Sequence, residues 1–113
     1  MNCGIDMVQI DRFNNISSTF MNKYFSIKEI NYINSKGNNS ETIAGIYAAK
    51  EAFLKSIGVA FNKYSLKEIE ILHDNGKPYF NINEQIKKEI DKPNFSLSIS
   101  HEDKYAIAFV INY

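Results

Sequence analysis

Apolar and polar residues alternate in some segments of the chain and repeat at helical spacing in others. The clearest helical pattern runs from Ser40 to Gly58, with Ser40 as the predicted N-cap and Gly58 as the predicted stop. Apolar side chains recur there at intervals of three and four residues, which predicts a stripe that faces the core: Ile43, Ile46, Tyr47, Phe53, Leu54 and Ile57. We expect the rest of the chain to pack around this helix.

A second face of the predicted helix carries Glu51 and Lys55 among three alanines, Ala44, Ala48 and Ala52. Because residues four apart lie one above the other on a helix, the carboxylate and the ammonium share this face. We expect the small alanines to leave them on an uncovered shelf. Taken alone, the two side chains would form a solvated ion pair worth about 0.3 kcal/mol, and the alternative interpretation is a binding site.

The remaining patterns predict shorter elements on both sides of this helix. They are a strand over residues 2–10, helices beginning at Asp11 and Ser26 within residues 11–35, strands over 66–73 and 77–82 joined by an Asn75-Gly76 turn, a helix over 84–91, and strands over 95–101 and 105–112. Ser26 and Glu29 have the spacing of a capping box. This order predicts an α+β fold in which a mostly antiparallel sheet packs against the long central helix.

Composition and charge narrow the possible partners. The length of 113 residues fits one domain spanning 1–113, and the formal net charge of zero argues against a nucleic-acid partner. No apolar run approaches the roughly 20 residues that span a bilayer, and the first residues do not resemble a signal peptide. A single cysteine, Cys3, cannot form an internal disulfide. We therefore expect a cytoplasmic protein with no membrane partner.

Candidate chemistry resides in ionisable side chains that a plain core would not need: Asp6, Glu51, Lys55 and His101. Asp6 interrupts an apolar strand, where it could either discourage edge pairing or bind a metal ion. Asp6 and Glu51 come from separate elements without clustered His or Cys, which favours a hard cation such as Mg²⁺ and suggests phosphoryl transfer. The other histidine, His73, is assigned to the solvent face of its strand.

Five segments occur in a characteristic order. They read G-I-D-M-V-Q-I-D-R-F, F-S-I-K-E-I, A-G-I-Y-A-A-K-E-A-F-L-K-S-I-G, I-E-I-L-H-D-N-G-K-P and S-I-S-H-E-D-K-Y-A-I-A. Together, and over nearly the whole chain, these segments resemble the holo-[acyl-carrier-protein] synthase family, the small 4′-phosphopantetheinyl transferases. The G-x-D, K-E-A-x-x-K and S-x-S-H elements are specific as a set, whereas each alone would be weak.

The resemblance implies a 4′-phosphopantetheinyl transferase-like fold and a particular reaction. The family moves the 4′-phosphopantetheine group of coenzyme A onto a serine of apo-acyl carrier protein and releases adenosine 3′,5′-bisphosphate. By position, Asp6 and Glu51 match the carboxylates that bind Mg²⁺, and Lys55 matches the lysine that contacts the phosphates. These three are the implied catalytic residues. The hypothesis for the proton acceptor is a water activated by the metal and held by Glu51, with His101 the less favoured base.

Further positions match the binding residues of the family. Besides Lys55, the implied coenzyme A-binding residues are Gly76, Lys77, Pro78, Ser100 and His101. Arg12 matches a basic position that receives the acidic carrier protein, and Lys23 and Lys28 extend the basic character of this docking region. The resemblance also implies a role in fatty acid biosynthesis and lipid metabolism.

The resemblance further implies a homotrimer with active sites at the subunit boundaries, so that one site combines residues of two chains. Three apolar residues of the last predicted strand, Ile107, Phe109 and Ile111, could belong either to the core or to such an interface. A hydrophobic stripe alone does not distinguish these two locations.

Several positions depart from the pattern of the family. Gln9 stands where glutamate is common, Lys23 where arginine is usual, Ile46 where arginine is frequent, and Val59-Ala60 replaces a frequent Thr-Gly. The sequence leaves two other functions open. One is a non-catalytic trimeric docking module for an acidic helical partner, and the other is a metal-dependent phosphohydrolase acting on a nucleotide.

Overall fold

The computed structural model describes residues 1–113. In chain order its elements are β1 (Asn2–Gln9), a 3-10 helix (Ile10–Phe13), α1 (Ser18–Tyr24), α2 (Ile27–Ser35), α3 (Ser40–Ser56), a 3-10 helix (Leu66–Glu68), β2 (Ile69–Asp74), β3 (Lys77–Ile82), α4 (Glu84–Glu89), β4 (Phe95–His101) and β5 (Tyr105–Asn112). None of the helices has the length and the apolar character needed to cross a membrane.

The strands form two antiparallel sheets. One has three strands in the order β1-β5-β4, and the other is the β2–β3 hairpin. In the larger sheet Asp6 lies opposite Ala108, and Ile99 lies opposite Ala108 from the other side. The predicted α+β class with antiparallel strands is confirmed, and the final two strands have the predicted bounds.

Helix α3 lies directly on the inner face of the three-stranded sheet. Ala44, Ala48 and Ala52 are fully buried, so the prediction of an uncovered alanine shelf is wrong. Small side chains allow strands to approach a helix closely, and these alanines are used for that purpose. Gly4 in β1 extends the same contact, because a Cβ at this position would collide with the carbonyl of Ala52 and lie 2.6 Å from the amide nitrogen of Ser56.

The ends of α3 are set by local chemistry. The N-cap is Asn39, whose side-chain oxygen accepts a hydrogen bond from the amide of Thr42 at 2.7 Å. Ser40, the predicted cap, is instead the first helical residue and donates its hydroxyl to the carbonyl of Phe13 at 3.3 Å. Gly58 has a positive φ of 71° just beyond the helix, which confirms it as the stop.

Other element boundaries also differ from the predictions. The helix predicted to begin at Asp11 is a 3-10 turn, and α1 starts only after the N-cap Ser17, because Asn15 has a positive φ of 55° that no continuous helix accommodates. The strand predicted over 66–73 begins at Ile69 after a 3-10 turn. The helix predicted over 84–91 ends at Glu89.

Candidate active site

Strand β1 carries Asp6 toward α3, where only 8% of the residue is exposed. One carboxylate oxygen, Oδ1, accepts a hydrogen bond from Nζ of Lys55 at 3.0 Å, and the same Nζ donates to the carbonyl of Ile5 at 3.0 Å. The other oxygen, Oδ2, is buried and has no partner. A buried carboxylate oxygen without a hydrogen bond is costly, so Asp6 presents an open ligand position. Asp6 points inward from an edge strand of its sheet, so its charge also fits the edge-strand interpretation.

Glu51 lies half-buried on α3 and faces Asp6. Burial raises the pKa of Glu51 and the nearby charge of Asp6 raises it further, while the Tyr47 hydroxyl and Lys55 act in the opposite direction. Burial and the charge of Glu51 raise the pKa of Tyr47 to about 12. Of the two interpretations of Glu51 and Lys55, the solvated ion pair is not observed: Asp6 and Glu51 form an acidic cluster in which Lys55 hydrogen-bonds to Asp6.

The acidic cluster fits a hard cation by the chemistry of its donors. No group of three or more His, Cys, Asp or Glu side chains arranged to hold a metal ion occurs in the protein. Mg²⁺ is usually bound by only one or two protein carboxylates, and water and phosphate oxygens fill its other coordination positions. The two carboxylates of this cluster, one of which has an unpartnered oxygen, match that number. The structure thus brings together Asp6, Glu51 and Lys55 as the sequence predicted.

A second cluster surrounds a cleft of about 220 Å³ beside the hairpin and the first turn of α3. The cleft brings together Gly76, Pro78 and His101 of the predicted coenzyme A-binding set. Gly76 lies in the turn with a φ of 81°, next to Asn75 with a φ of 50°, which is the geometry of a type I′ hairpin turn. His101 points toward the N-terminal end of α3, with Nδ1 3.7 Å from Oε2 of Glu41.

The remaining three predicted coenzyme A-binding residues lie outside this cleft, and one of them, Lys55, belongs to the acidic cluster. Lys77 is exposed on the other side of the turn, in a shallow hollow beside Asp74 and Tyr79. Ser100 pairs with Ile107 and is exposed on the outer face of the sheet, because successive strand residues alternate between faces and His101 occupies the inner one. Within one chain, the structure therefore does not bring Ser100 and His101 to the same site.

His73 is not on the solvent face of its strand, as predicted. Its ring stacks on Tyr32 of α2 with a centroid distance of 3.7 Å and an interplanar angle of 4°, and both side chains line the hairpin cleft. Burial lowers the pKa of His73, and the charge of Lys36 lowers it further. The buried Ile46 also lines the cleft, so this chain has an apolar wall where the resemblance led us to expect an arginine.

The basic docking residues occupy exposed positions in the N-terminal part of the chain. Arg12 lies over the ring of Phe13 at 5.7 Å, and Lys23 lies over the ring of Tyr24 at 5.2 Å. Both rings belong to an aromatic cluster that includes Tyr47, which links these cations to the helix of the acidic cluster. Lys28 instead lies near Glu70 of the hairpin.

Sequence reasoning missed a buried ion pair at the centre of the molecule. Lys50 and Glu29 are both fully buried, with Nζ of Lys50 2.7 Å from Oε1 of Glu29. A signal was present, because Lys50 lies three and four residues before Phe53 and Leu54 and therefore interrupts the apolar stripe of α3. A charge in a core stripe requires a buried partner, and Glu29 is the acidic residue of the capping box.

The fold and the acidic cluster together define a class of protein that comparisons with known proteins identify. Residues 2–110 match the model of the 4′-phosphopantetheinyl transferase superfamily, and the chain belongs to this family. Its curated relatives include the holo-[acyl-carrier-protein] synthase of Halothermothrix orenii, which is 41% identical over 96% of this chain and 93% of the relative. That of Fusobacterium nucleatum is 42% identical over 96% of this chain and 94% of the relative.

Solved structures give the same result. The holo-[acyl-carrier-protein] synthase of Helicobacter pylori in complex with coenzyme A matches with a TM-score of 0.87 and 29% identity, over 98% of this chain and 99% of that chain. The synthase of Neisseria meningitidis matches with a TM-score of 0.88 and 28% identity, over 99% of this chain and 97% of that chain. The fold is therefore shared with these synthases over nearly the full length.

Proposed function

We propose that residues 1–113 act as one phosphopantetheinyl transferase domain, a holo-[acyl-carrier-protein] synthase that transfers the 4′-phosphopantetheine group of coenzyme A to a serine of apo-acyl carrier protein. Relatives of nearly the same length carry this name, and a similar solved structure holds coenzyme A. The observation that carries the proposal is the acidic cluster beside Lys55, because two carboxylates and an ammonium suit a reacting pyrophosphate.

The proposed reaction is a displacement at the phosphorus atom that bears the pantetheine arm. The serine oxygen forms a new bond to this phosphorus, and the bond between the phosphorus and the bridging pyrophosphate oxygen breaks. The serine loses its proton, and adenosine 3′,5′-bisphosphate leaves with the negative charge. The nucleophile comes from the carrier protein, which agrees with the lack of an activated serine or cysteine motif in this chain.

Three side chains have proposed catalytic roles. Asp6 and Glu51 would hold Mg²⁺, which when bound supplies positive charge that offsets the charge of the pyrophosphate and of the departing phosphate. Lys55 is held beside Asp6 by its bonds to Oδ1 and to the carbonyl of Ile5, with its side chain 55% exposed, so its ammonium is available to a phosphate oxygen. Tyr47 is not one of these three but a positioning residue, whose hydroxyl faces Glu51 and favours its ionised form.

The coenzyme A site is proposed to combine two chains of a homotrimer. The hairpin cleft reaches Glu41 at the start of α3, and the acidic cluster lies ten residues further along, about 15 Å away on the helix axis. Ser100 is on the outer face of the sheet, away from both clusters in its own chain. We propose that a neighbouring subunit supplies the acidic cluster that completes the site of Gly76, Lys77, Pro78, Ser100 and His101.

The outer face of the three-stranded sheet is suited to such an interface. It exposes large apolar side chains, including 52% of Ile5, 61% of Met7 and 41% of Phe109, and Phe109 lies opposite Ile5. A contiguous apolar face of this kind marks an interaction surface more often than free surface. The proposed trimer would therefore bury Ile107, Phe109 and Ile111 at its interface, since none of the three belongs to the buried core of one chain.

The carrier protein is proposed to dock on the basic N-terminal surface. Arg12 and Lys23 flank the aromatic cluster and are exposed, which suits an acidic partner whose approach is steered by charge. Lys28 lies near Glu70 and would contribute less, because that carboxylate offsets its charge. A reaction on acyl carrier protein belongs to fatty acid biosynthesis and lipid metabolism, and we place it in the cytoplasm.

The docking-module alternative is not favoured. A module without chemistry has no use for a buried carboxylate with an unpartnered oxygen beside a second carboxylate, and the relatives are named as synthases. A phosphohydrolase would share the acidic cluster but would not need the basic surface on which a carrier protein docks.

The test is intact-mass spectrometry of apo-acyl carrier protein incubated with this protein, coenzyme A and Mg²⁺, with an EDTA control. The expected result is a mass gain of one phosphopantetheine arm that EDTA abolishes. A mass gain that persists in EDTA would reject the dependence on Mg²⁺ but would still support the transferase activity. No gain with several carrier proteins, combined with release of adenosine 3′,5′-bisphosphate into solution, would favour the hydrolase instead.

A further inference from the structure

The buried pair Lys50–Glu29 lies where α2, α3 and the β2–β3 hairpin meet. Nζ of Lys50 donates three hydrogen bonds, to Oε1 of Glu29 at 2.7 Å, to the carbonyl of Leu66 at 2.7 Å and to the carbonyl of Ile69 at 2.8 Å. Glu29 accepts from the amides of Ser26 and Ile71, each at 2.8 Å. Every donor of the ammonium is thus used, and the carboxylate is bonded at both oxygens.

Stability alone does not account for this pair. Burial raises the pKa of Glu29 and lowers that of Lys50, while the charge of each partner opposes these shifts. Replacing a buried ion pair by apolar residues of similar volume is often neutral or stabilising, because the desolvation of two charges is so costly. What apolar residues could not reproduce is the set of directed bonds to Leu66, Ile69 and Ile71.

Those bonds add direction to the apolar packing of the hairpin, whose Ile69, Ile71 and Ile82 are buried in the core. The hairpin forms its own two-stranded sheet, and no backbone hydrogen bond joins it to the three-stranded sheet. Lys50 and Glu29 form hydrogen bonds with the backbone at the start of β2, at Ile69 and Ile71 respectively. One turn further along α2, Tyr32 stacks on His73, two residues further along the same face of β2.

This α2–β2 seam, made of Glu29 with Ile71 and of Tyr32 with His73, ends in the proposed coenzyme A cleft. Tyr32 and His73 line that cleft together with Gly76 and Pro78 of the hairpin. The position of the hairpin against α3 therefore sets the width of the cleft. A displacement of the hairpin of about 1 Å would change every contact that the cleft makes with a ligand.

We propose that Lys50 and Glu29 are positioning residues that hold the hairpin wall of the cleft against α3 and thereby set the affinity for the nucleotide end of coenzyme A. The identity of the ligand in this inference rests on the proposed function. The placement of the hairpin by Lys50 and Glu29 does not depend on that function. Neither side chain contacts the acidic cluster, so the pair acts on binding and not on the chemical step.

The test compares Glu29→Gln/Lys50→Met with the single variant Lys50→Met and with Val110→Ala. The double variant keeps an acceptor for the capping box and leaves no buried charge unpaired, whereas Lys50→Met alone strands the Glu29 carboxylate and can fail to fold. Val110→Ala is the matched control, because Val110 is buried in β5 and pairs in register with Gly4 and Leu97, away from the hairpin.

We expect the double variant to raise KM for coenzyme A at least about tenfold while kcat stays within about threefold, and to raise the Kd of adenosine 3′,5′-bisphosphate in parallel. In hydrogen exchange, the amides of β2 and β3 should exchange faster than in the wild type, and the amides of β5 should not. Val110→Ala should lower the unfolding temperature with no change in KM.

Three results would overturn the inference: unchanged KM in the double variant, equal loss of protection in β5 and the hairpin, or the same KM increase in Val110→Ala. A wild-type protein that neither binds coenzyme A nor modifies carrier protein would instead reject the proposed function. The exchange rates of the hairpin amides would then still decide whether Lys50 and Glu29 position the hairpin.

Discussion

At the scale of single residues, the acidic cluster contains one buried oxygen that the fold leaves without a partner. Asp6 Oδ1 is bonded to Lys55, and Oδ2 has no hydrogen bond. Glu51 adds a second carboxylate that burial and Asp6 make harder to ionise. Lys55 offsets only part of the repulsion between the two carboxylates, which opposes folding, and such an arrangement is expected where a bound ligand compensates for the remaining charge.

Asp6→Asn and Glu51→Gln should each lower Mg²⁺-dependent transfer by a hundredfold or more, on the order of the loss of one directed electrostatic group at an active site. Each variant replaces one carboxylate oxygen by an amide nitrogen and removes the negative charge, with almost no change in volume. Steady-state transfer assays over a range of Mg²⁺ concentrations would measure the change, with the exposed Glu68→Gln as the matched control. Near-normal activity in either variant would reject the metal assignment.

The same cluster predicts a pH dependence of stability. Because the pKa of Glu51 is raised in the folded state above 4.5, folding favours the protonated form, and its ionisation at neutral pH costs stability. Glu51→Gln should therefore unfold at a higher temperature than the wild type in EDTA at pH 7, and this advantage should vanish as the pH falls toward the unfolded pKa. Thermal unfolding of both proteins, recorded from neutral to mildly acidic pH, would measure this difference in unfolding temperature. A difference that grows on acidification would contradict the raised pKa.

Arg12→Ala tests the docking surface. The exposed guanidinium is proposed to attract the acidic carrier protein, so KM for the carrier should rise about three- to tenfold while KM for coenzyme A stays unchanged. The effect should shrink at high salt, since exposed charges are screened. Steady-state kinetics at low and high ionic strength would measure KM for both substrates, and Lys88→Ala, at an exposed position of α4, is the control. Equal changes for both substrates would argue against docking at Arg12.

At the scale of elements, the contact between β1 and α3 is what creates the acidic cluster. Asp6 and Lys55 are 49 positions apart in the chain and meet only because β1 lies against the alanine face of α3. At Gly4 in β1 there is no room for a Cβ, because the backbone of α3 occupies its place. The closeness of these two elements therefore depends on the absence of side-chain volume on both sides.

Gly4→Ala should destabilise the fold by about 3 kcal/mol or more, because the added methyl group meets the backbone of α3 near Ala52 and Ser56, which cannot move aside as a flexible side chain would. The unfolding temperature should fall by roughly 10 °C. Cys3→Ala is the matched control, since Cys3 is exposed on the opposite face of the same strand. Similar unfolding temperatures for both variants would contradict the close packing.

At the scale of the whole molecule, the two proposed half-sites lie at different ends of α3, and the outer face of the three-stranded sheet is the proposed contact with the neighbouring chain. Ser100 and the apolar side chains of β1 and β5 share that face. A protein that exposes this much apolar surface on one sheet is expected to cover it with a partner. A homotrimer would cover the sheet and complete the site together.

Phe109→Glu should convert the proposed trimer to monomers, because a carboxylate placed against Ile5 cannot be buried without a partner. Transfer activity should fall with the trimer, since one site would need two chains. Light scattering coupled to size-exclusion chromatography gives the mass, and Phe61→Glu is the control, because Phe61 is also exposed but lies outside the sheet. Unchanged mass and activity in Phe109→Glu would reject the interface.

The sequence by itself determined the elements and the principal chemical groups. The capping box of Ser26 and Glu29, the Asn75-Gly76 turn and the stop at Gly58 depend on interactions within a few residues, which a local pattern records. The choice of Asp6, Glu51 and Lys55 came from residue types that were out of place and from a resemblance over nearly the whole chain.

Tertiary structure alone decided how these parts meet. In the folded protein β1 and β5 cover the alanine face of α3, and Lys55 hydrogen-bonds to Asp6 and not to Glu51. Lys50 hydrogen-bonds to Glu29 beneath the hairpin. Each of these contacts links residues at least 21 positions apart. The physical reason is that periodicity shows which side chains are buried but not against what, because the partner of a buried group is chosen by the packing of whole elements.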